Sequence, residues 1–232
     1  MTQVAENIAA IKAQITQAAR ECGRRAEDVK LVAVSKKQPG ERIAAALDAG
    51  HRLFGENRVQ EAEERWRKLK ALYAEGSPPN PPVNGGEIRL HLIGPLQTNK
   101  VKDAVALFDC IETVDREALA EKLAAEMEKQ GRRIPCFVQV NSGAEEQKAG
   151  VLPEDLPALL DVCGRLGLPI TGLMCIPPLD EPPAMHFALL KKLAARHGLS
   201  DLSMGMSADF EKAIALGATY VRIGTGVFGA RE

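Results

Sequence analysis

Aromatic residues are scarce in this chain. One Trp, two Tyr and six Phe stand among 232 residues, so the core has to be built from aliphatic side chains. A surplus of charge is missing too: 30 basic residues face 31 acidic ones, a formal net charge of -1. No basic cluster interleaves with aromatics, which argues against a nucleic-acid partner. No apolar run approaches the roughly 20 residues of a membrane span. Residues 1–15 carry Glu6, Lys12 and Gln14 among their apolar positions, so they do not read as a signal peptide. Cys22, Cys110, Cys136, Cys163 and Cys175 lack C-x-x-C spacing. A disulfide framework or a zinc site is therefore not expected, and a reducing, cytoplasmic setting is. Finally, no G-x-G-x-x-G follows the first apolar strand, which weakens a dinucleotide-binding reading.

What the chain does have is a repeated unit of apolar strand, loop, helix and glycine. An amphipathic helix from Thr2 to about Cys22 comes first, with Val4, Ile8, Ile11 and Ile15 as its stripe. Strands are expected at Leu31–Ser35, Arg52–Phe54, Ile88–Ile93, Cys110–Val114, Ile134–Val140, Ile170–Met174, Asp201–Met204 and Tyr220–Ile223. Gly50, Gly86, Gly131, Gly167, Gly198 and Gly217 precede six of them, as left-handed residues that close helices. Helices are expected over Val59 to about Tyr73, after a cap at Asp115, and over Ala184–Arg196. The Pro- and Gly-rich stretch 76–86 reads as a surface loop. Eight units fit a compact, single-domain (β/α)8 TIM barrel over residues 1–232 with an additional N-terminal helix at 1–22, a fold that typically takes about 250 residues. An open doubly wound sheet is the competing arrangement. In a closed barrel the first and last strands are neighbours, which would bring Lys36 beside Arg222.

Ligands in such folds bind at the C-terminal ends of the strands, and that is where the chemistry-bearing residues fall. Strand 1 ends on Val34-Ser35-Lys36. The amine of Lys36 is either solvated or desolvated and able to condense with a carbonyl. Strand 7 runs into Ser203-Met204-Gly205-Met206-Ser207, and strand 8 into Arg222-Ile223-Gly224-Thr225. Loops after strands 7 and 8 commonly hold phosphate. Ser207 is expected to cap a helix over Ala208–Leu216, although Asp209 in its first turn would repel an anion unless turned outward. Arg222 interrupts an apolar strand, and a buried arginine needs either a neighbouring carboxylate or a ligand atom. Phosphate, an imine-forming lysine and an arginine together describe pyridoxal 5′-phosphate, PLP.

Six segments carry a family resemblance: Val34–Lys36, Phe54–Glu61, His91–Lys100, Gly172–Pro177, Ser203–Ser207 and Val221–Thr225. Together they resemble the YggS/PROSC family of pyridoxal-phosphate homeostasis proteins, nearly end to end. The resemblance implies a barrel like that of bacterial alanine racemase and a Schiff base on Lys36. It also implies Asn57 beside the cofactor, Arg222 facing the pyridine nitrogen, and Ser207, Gly224, Thr225 and Ser203 around the phosphate. The expected partners are PLP and, transiently, PLP-dependent apo-enzymes, with the chain a monomer or weak dimer. Two departures stand out: Lys37-Gln38-Pro39 follows the lysine where Thr-Lys-Pro is frequent, and the 76–86 stretch is unusual.

Arginine only donates, so beside the ring nitrogen it leaves that atom unprotonated and carbanion chemistry poorly supported. A racemase tolerates this but needs a second base. Tyr73 and Tyr220 are placed away from the barrel top, and His91 or Cys175 would have to substitute. The expectation is a cofactor-binding protein without committed catalytic residues. A weak amino-acid racemase is the alternative, and a cofactor-free lysine aldolase is a third reading.

Overall fold

The computed structural model describes residues 2–74 and 86–229. Eight parallel strands close into a barrel in simple chain order. They are β1 Lys30–Val34, β2 Leu53–Glu56, β3 Arg89–Leu92, β4 Cys110–Val114, β5 Cys136–Val140, β6 Ile170–Cys175, β7 Asp201–Ser203 and β8 Tyr220–Ile223. Their helices are α1 Gln3–Glu21, α2 Gly40–Asp48, α3 Val59–Ala74, α4 Val101–Leu107, α5 Glu117–Gln130, α6 Leu156–Arg165, α7 Pro183–Arg196, α8 Phe210–Ala215 and α9 Thr225–Phe228. Strands buried on both faces explain the unbroken apolar runs in the sequence.

Closure places Val32 opposite Arg222 and Ala33 opposite Ile223, so the two ends of the chain form one wall. The N-terminal helix is what seals that seam. Where a barrel normally puts its eighth outer helix, the described residues after β8 form the four-residue α9. α1 fills the place, packed against α2, α8 and α9. Its buried stripe is the expected one, Val4, Ile8, Ile11 and Ile15, extended by Ala18 and Ala19. Asn7 Nδ2 donates to the Val227 carbonyl at 3.0 Å, and Arg24 Nη1 to the Ile214 carbonyl at 2.7 Å. The helix called additional in the sequence reading is thus a structural part of the barrel wall.

Several local expectations are corrected. Gly23, Gly50, Gly131, Gly167, Gly198 and Gly217 do take positive φ, but Gly86 does not. Asp115 does not cap α5. Arg116 occupies the cap position in extended geometry, and the Asp115 carboxylate accepts from the Arg116 guanidinium instead. The limits of Cys110–Val114 and Tyr220–Ile223 are as expected, and those of the other six strands differ by one or two residues, as element ends usually do. Residues 76–85 of the expected loop lie outside the described residues.

Between the outer face of the sheet and the helices lies a core of aliphatic side chains with Phe54, Trp66, Phe108 and Phe187 fully buried among them. His51 is one ionisable group built into this layer. Its Nε2–H donates to the Leu53 carbonyl at 2.7 Å, and its ring packs edge-on against Phe54 at 5.1 Å. Burial pulls its pKa from 6.5 down to about 4, with Lys12 and Arg52 adding to the fall and the Leu53 carbonyl opposing it. The unfolded chain therefore binds this proton first. Stability is complete above pH 6.5 and is lost as pH falls towards 4, by about 3 kcal/mol in all. Urea unfolding at pH 7 and pH 4.5 should show His51→Gln losing less stability than the wild type over that interval. Equal losses would remove His51 from the account.

Candidate functional site

The C-terminal rim of the barrel brings together residues far apart in sequence. Lys36 lies one residue beyond the end of the sheet pairing, half-buried, in a turn closed by the Gln38 N–H on the Ser35 carbonyl at 3.1 Å. Lys37 occupies the left-handed position of that turn with φ of 57°, a conformation that costs a side-chain-bearing residue about 1–2 kcal/mol. Such a cost persists only where the surroundings fix it. Here they do. Ser35 N–H pairs with the Gly55 carbonyl at 3.0 Å, and Ser35 Oγ donates to Glu56 Oε1 at 2.7 Å. The same carboxylate oxygen receives Arg65 Nη1 at 2.8 Å and Trp66 Nε1 at 2.9 Å. Arg65 Nη1 also reaches the Ser35 carbonyl at 3.3 Å.

Glu56 is fully buried beneath α3. It faces outward from the barrel and holds the base of the lysine turn, a role the sequence reading missed. Asn57 follows it onto the rim, half-buried. Gly94, at the end of β3, passes so close that a Cβ there would stand 2.3 Å from the Asn57 carbonyl oxygen. Only glycine allows those two loops to touch.

On the opposite side of the rim, the loops after β7 and β8 converge. A Cβ at Gly226 would come within 3.8 Å of Ser207 Oγ and 3.3 Å of Ile11 on α1. Ser207, Thr225 and Gly226 are exposed, and Gly224 is half-buried beside Val34. Ser207 is not a helix cap, contrary to the sequence reading. The residues after it form a turn, and α8 starts only at Phe210 with Asp209 in the cap position. Asp209 accepts the Met206 N–H on Oδ1 at 2.6 Å, which commits one carboxylate oxygen to the loop itself. Gly205 makes the tight return possible, with φ of 93° and a virtual Cβ only 2.6 Å from Ala213.

Below the rim, inside the barrel, lies a polar network. Arg222 is 4 % exposed and sends Nη1 to Ser203 Oγ at 2.6 Å and Nη2 to the Cys175 carbonyl at 2.8 Å. Ser203 donates to Glu112 Oε2 at 2.6 Å. That bond joins β7 to β4, which are not neighbours, so it crosses the interior. His91 Nδ1 lies 2.6 Å from Glu112 Oε1, and Arg222 Nη1 lies 3.9 Å from Glu112 Oε2.

Of the two alternatives for Arg222, a carboxylate is present, but it comes from across the barrel rather than from an adjacent strand. Burial alone would raise the Glu112 carboxyl. The hydrogen bond and charge of His91, the charge of Arg222 and the Ser203 hydroxyl reverse this and hold it below the usual carboxylate range. Ser203 is fully buried here and serves Arg222 and Glu112, well below the exposed Ser207. Cys175 is buried, its thiol pushed up to about 12 by burial. Tyr220, at the N-terminal end of β8, takes a hydrogen bond from Lys30 at 3.0 Å, and Tyr73 bonds to Asp48 at 2.6 Å. Neither tyrosine is on the rim.

His91, Cys110 and Glu112 hold ligand atoms within 4.8 Å of one another. The carboxylate oxygens are already committed to His91 and Ser203, with a guanidinium beside them. That arrangement suits an ion network better than an added cation. The donor set suits PLP: an amine at Lys36, a guanidinium with two of its five N–H groups engaged by Ser203 and Cys175, and hydroxyls at Ser207 and Thr225. Two further buried atoms, Gln139 Oε1 and Ser142 Oγ, find no hydrogen-bond partner among the described residues. The register runs from Gln139 to Met174 and on to Ser203, so Gln139 shares the level of this network. Gln139 Oε1 thus offers an uncommitted acceptor at that level, which suits a polar ligand or a water.

Residues 7–232 match the family described as Alanine racemase, N-terminal domain. A protein of Pseudomonas aeruginosa named pyridoxal phosphate homeostasis protein is 42 % identical over 238 residues, covering 100 % of this chain and 97 % of the relative. Its namesake in Escherichia coli K12 is 36 % identical over 241 residues, covering 100 % of this chain and 98 % of the relative. Among solved structures, PipY of Synechococcus elongatus with PLP bound is similar at TM-score 0.79 and 35 % identity. That match covers 98 % of this chain and 100 % of the other.

Proposed function

This chain belongs to the family of pyridoxal phosphate homeostasis proteins, and from that membership we propose that it binds pyridoxal 5′-phosphate at the C-terminal rim of its barrel. The cofactor is held on the Lys36 amine and kept sequestered or deliverable to apo-enzymes. The observation that carries this reading is closure. β1 and β8 pair side by side, so Lys36 and the Gly224–Gly226 loop share one side of the rim, with Arg222 on the barrel wall below them.

When bound, PLP supplies an aldehyde that condenses with an amine and a ring that withdraws electrons. The protein's residues do the rest. Glu56, Arg65 and Trp66 hold the Ser35–Gln38 turn and so aim Lys36. Arg222 offers donors, not a proton acceptor, to the pyridine nitrogen. Ser207 and Thr225 offer hydroxyls to the phosphate, together with the N–H groups that start α9, which lie ahead of its first internal hydrogen bonds. Asn57 borders the site beside Lys36.

A racemase needs a second base opposite Lys36. The tyrosines lie off the rim, His91 is spent on Glu112, and the Cys175 thiol is buried and protonated at neutral pH. Holding and transferring the cofactor fits these residues better than turnover. No helix among the described residues is long and apolar enough to cross a membrane, and the cytoplasmic setting is proposed from the scattered, unpaired cysteines alone.

The phosphate half of the reading is tested by titrating apo-protein with PLP and with unphosphorylated pyridoxal. Replacing both Ser207→Ala and Thr225→Val should weaken PLP binding by about 10- to 100-fold and leave pyridoxal binding unchanged. An equal loss for both ligands would move the phosphate elsewhere.

A further inference from the structure

The polar cluster inside the barrel is more elaborate than a counterion for one arginine requires. The two oxygens of Glu112 face different walls. Oε1 is bonded to His91 on β3, and Oε2 to Ser203 on β7, both at 2.6 Å. Ser203 then passes the contact to Arg222 on β8 at 2.6 Å. The other guanidinium nitrogen is fixed by a backbone carbonyl on β6 at 2.8 Å. A guanidinium is planar, so two anchored nitrogens define its plane. Every side chain in the chain of contacts is buried, which makes each bond strong and each missing partner costly. The ionisable groups around the carboxylate are His91 on β3, Cys110 on its own strand and Arg222 on β8. Burial and Glu112 itself keep the Cys110 thiol protonated.

We propose that Glu112 is a positioning residue which, through Ser203, fixes the plane of the Arg222 guanidinium against the pyridine ring and so sets the electronic state of the bound cofactor. This rests on the reading that PLP sits on the rim with its ring nitrogen toward Arg222. Glu112 touches neither cofactor nor Lys36 in this scheme. It acts on the cofactor only by where it holds a charge and a plane. The His91 contact completes the arrangement by locking the carboxylate from the opposite side. The ring nitrogen then meets a donor that cannot swing away or surrender a proton.

Glu112→Gln separates charge from shape. The amide can still accept from Ser203 while its NH2 faces His91, provided that Nδ1 of that ring gives up its proton. The hydrogen bonds persist and the negative charge is gone. Ser203→Ala removes the link instead, and Glu112→Asp keeps the charge on a shorter arm. Each variant is loaded with PLP. The visible spectrum of the bound cofactor is followed against pH, and the rate of PLP loss on dialysis is measured.

Glu112→Gln and Ser203→Ala should shift the midpoint of the spectral transition in the same direction, by about half a pH unit or more. Both should lose PLP at least about tenfold faster, as expected for a weakened buried charge contact. Glu112→Asp should lie nearer the wild type. Wild-type profiles and loss rates in both Glu112→Gln and Ser203→Ala, with the cofactor still reducible onto Lys36, would overturn the proposal. Should Glu112→Gln fail to fold, Ser203→Ala decides alone, since it removes one hydroxyl. A wild-type protein with no visible band would instead refute the cofactor site itself, and this proposal with it.

Discussion

Lys36→Ala should leave a folded but colourless protein. In the wild type, the condensed amine and the conjugated ring together absorb visible light. The substitution removes the rim amine that forms that link. The barrel should not notice the change. Lys36 is half-buried, beyond the last sheet pairing, and the turn around it is held by Ser35, Glu56, Arg65 and Trp66. The variant should stay folded, unfolding in urea within about 1–2 kcal/mol of the wild type, the ordinary scale of a single substitution, yet fail to retain PLP through gel filtration. A variant that keeps the visible band would place the attachment on another lysine. Lys37 is the nearest in sequence, but its left-handed backbone sets it apart from Lys36.

Arg222→Leu should be costly even without cofactor. It deletes the cation beside a fully buried carboxylate and leaves the Cys175 carbonyl without its donor. Breaking a buried ion pair from one side typically costs about 3–5 kcal/mol, because the remaining charge has no solvent and no partner. His91 and Ser203 still bond Glu112, so the lower part of that range applies. The double variant Arg222→Leu with Glu112→Leu should recover much of the loss, since removing both charges also removes the desolvation penalty. Equilibrium urea unfolding of the apo-proteins measures both. A single variant that loses less than about 1 kcal/mol would mean the network is not a coupled unit.

The barrel was readable because its signals are local and repeated. Apolar runs of strand length are separated by helical stripes, and glycines sit where helices end. Positive φ at Gly131, Gly167 and Gly198 follows directly from that pattern. Pairing of β1 with β8 came from topology alone. Lys36 and Arg222 were readable because each is a charged residue set in or against an apolar strand.

The same signal exists at Glu56 in Leu-Phe-Gly-Glu and Glu112 in Cys-Ile-Glu-Thr-Val. There, strand alternation alone could not tell whether a side chain points to the barrel interior or to the helices. Glu112 points inward to Arg222, and Glu56 outward to Arg65. Ser207 was misread as a cap because a serine before an apolar pattern looks the same whether the helix starts at once or after a turn. Here Asp209, bonded to the Met206 N–H, delays the start. Glu112 and Arg222 meet across the full width of the barrel, a contact that no spacing in one strand can announce.

The central claim, that both ends of the chain close around one aldehyde carried on a single amine, is tested most directly by peptide mapping. Wild-type protein loaded with PLP is reduced with borohydride, digested, and searched by mass spectrometry for the reduced pyridoxyl adduct. The account predicts one adduct, on Lys36. Adducts spread over surface lysines, or none at all, would contradict it.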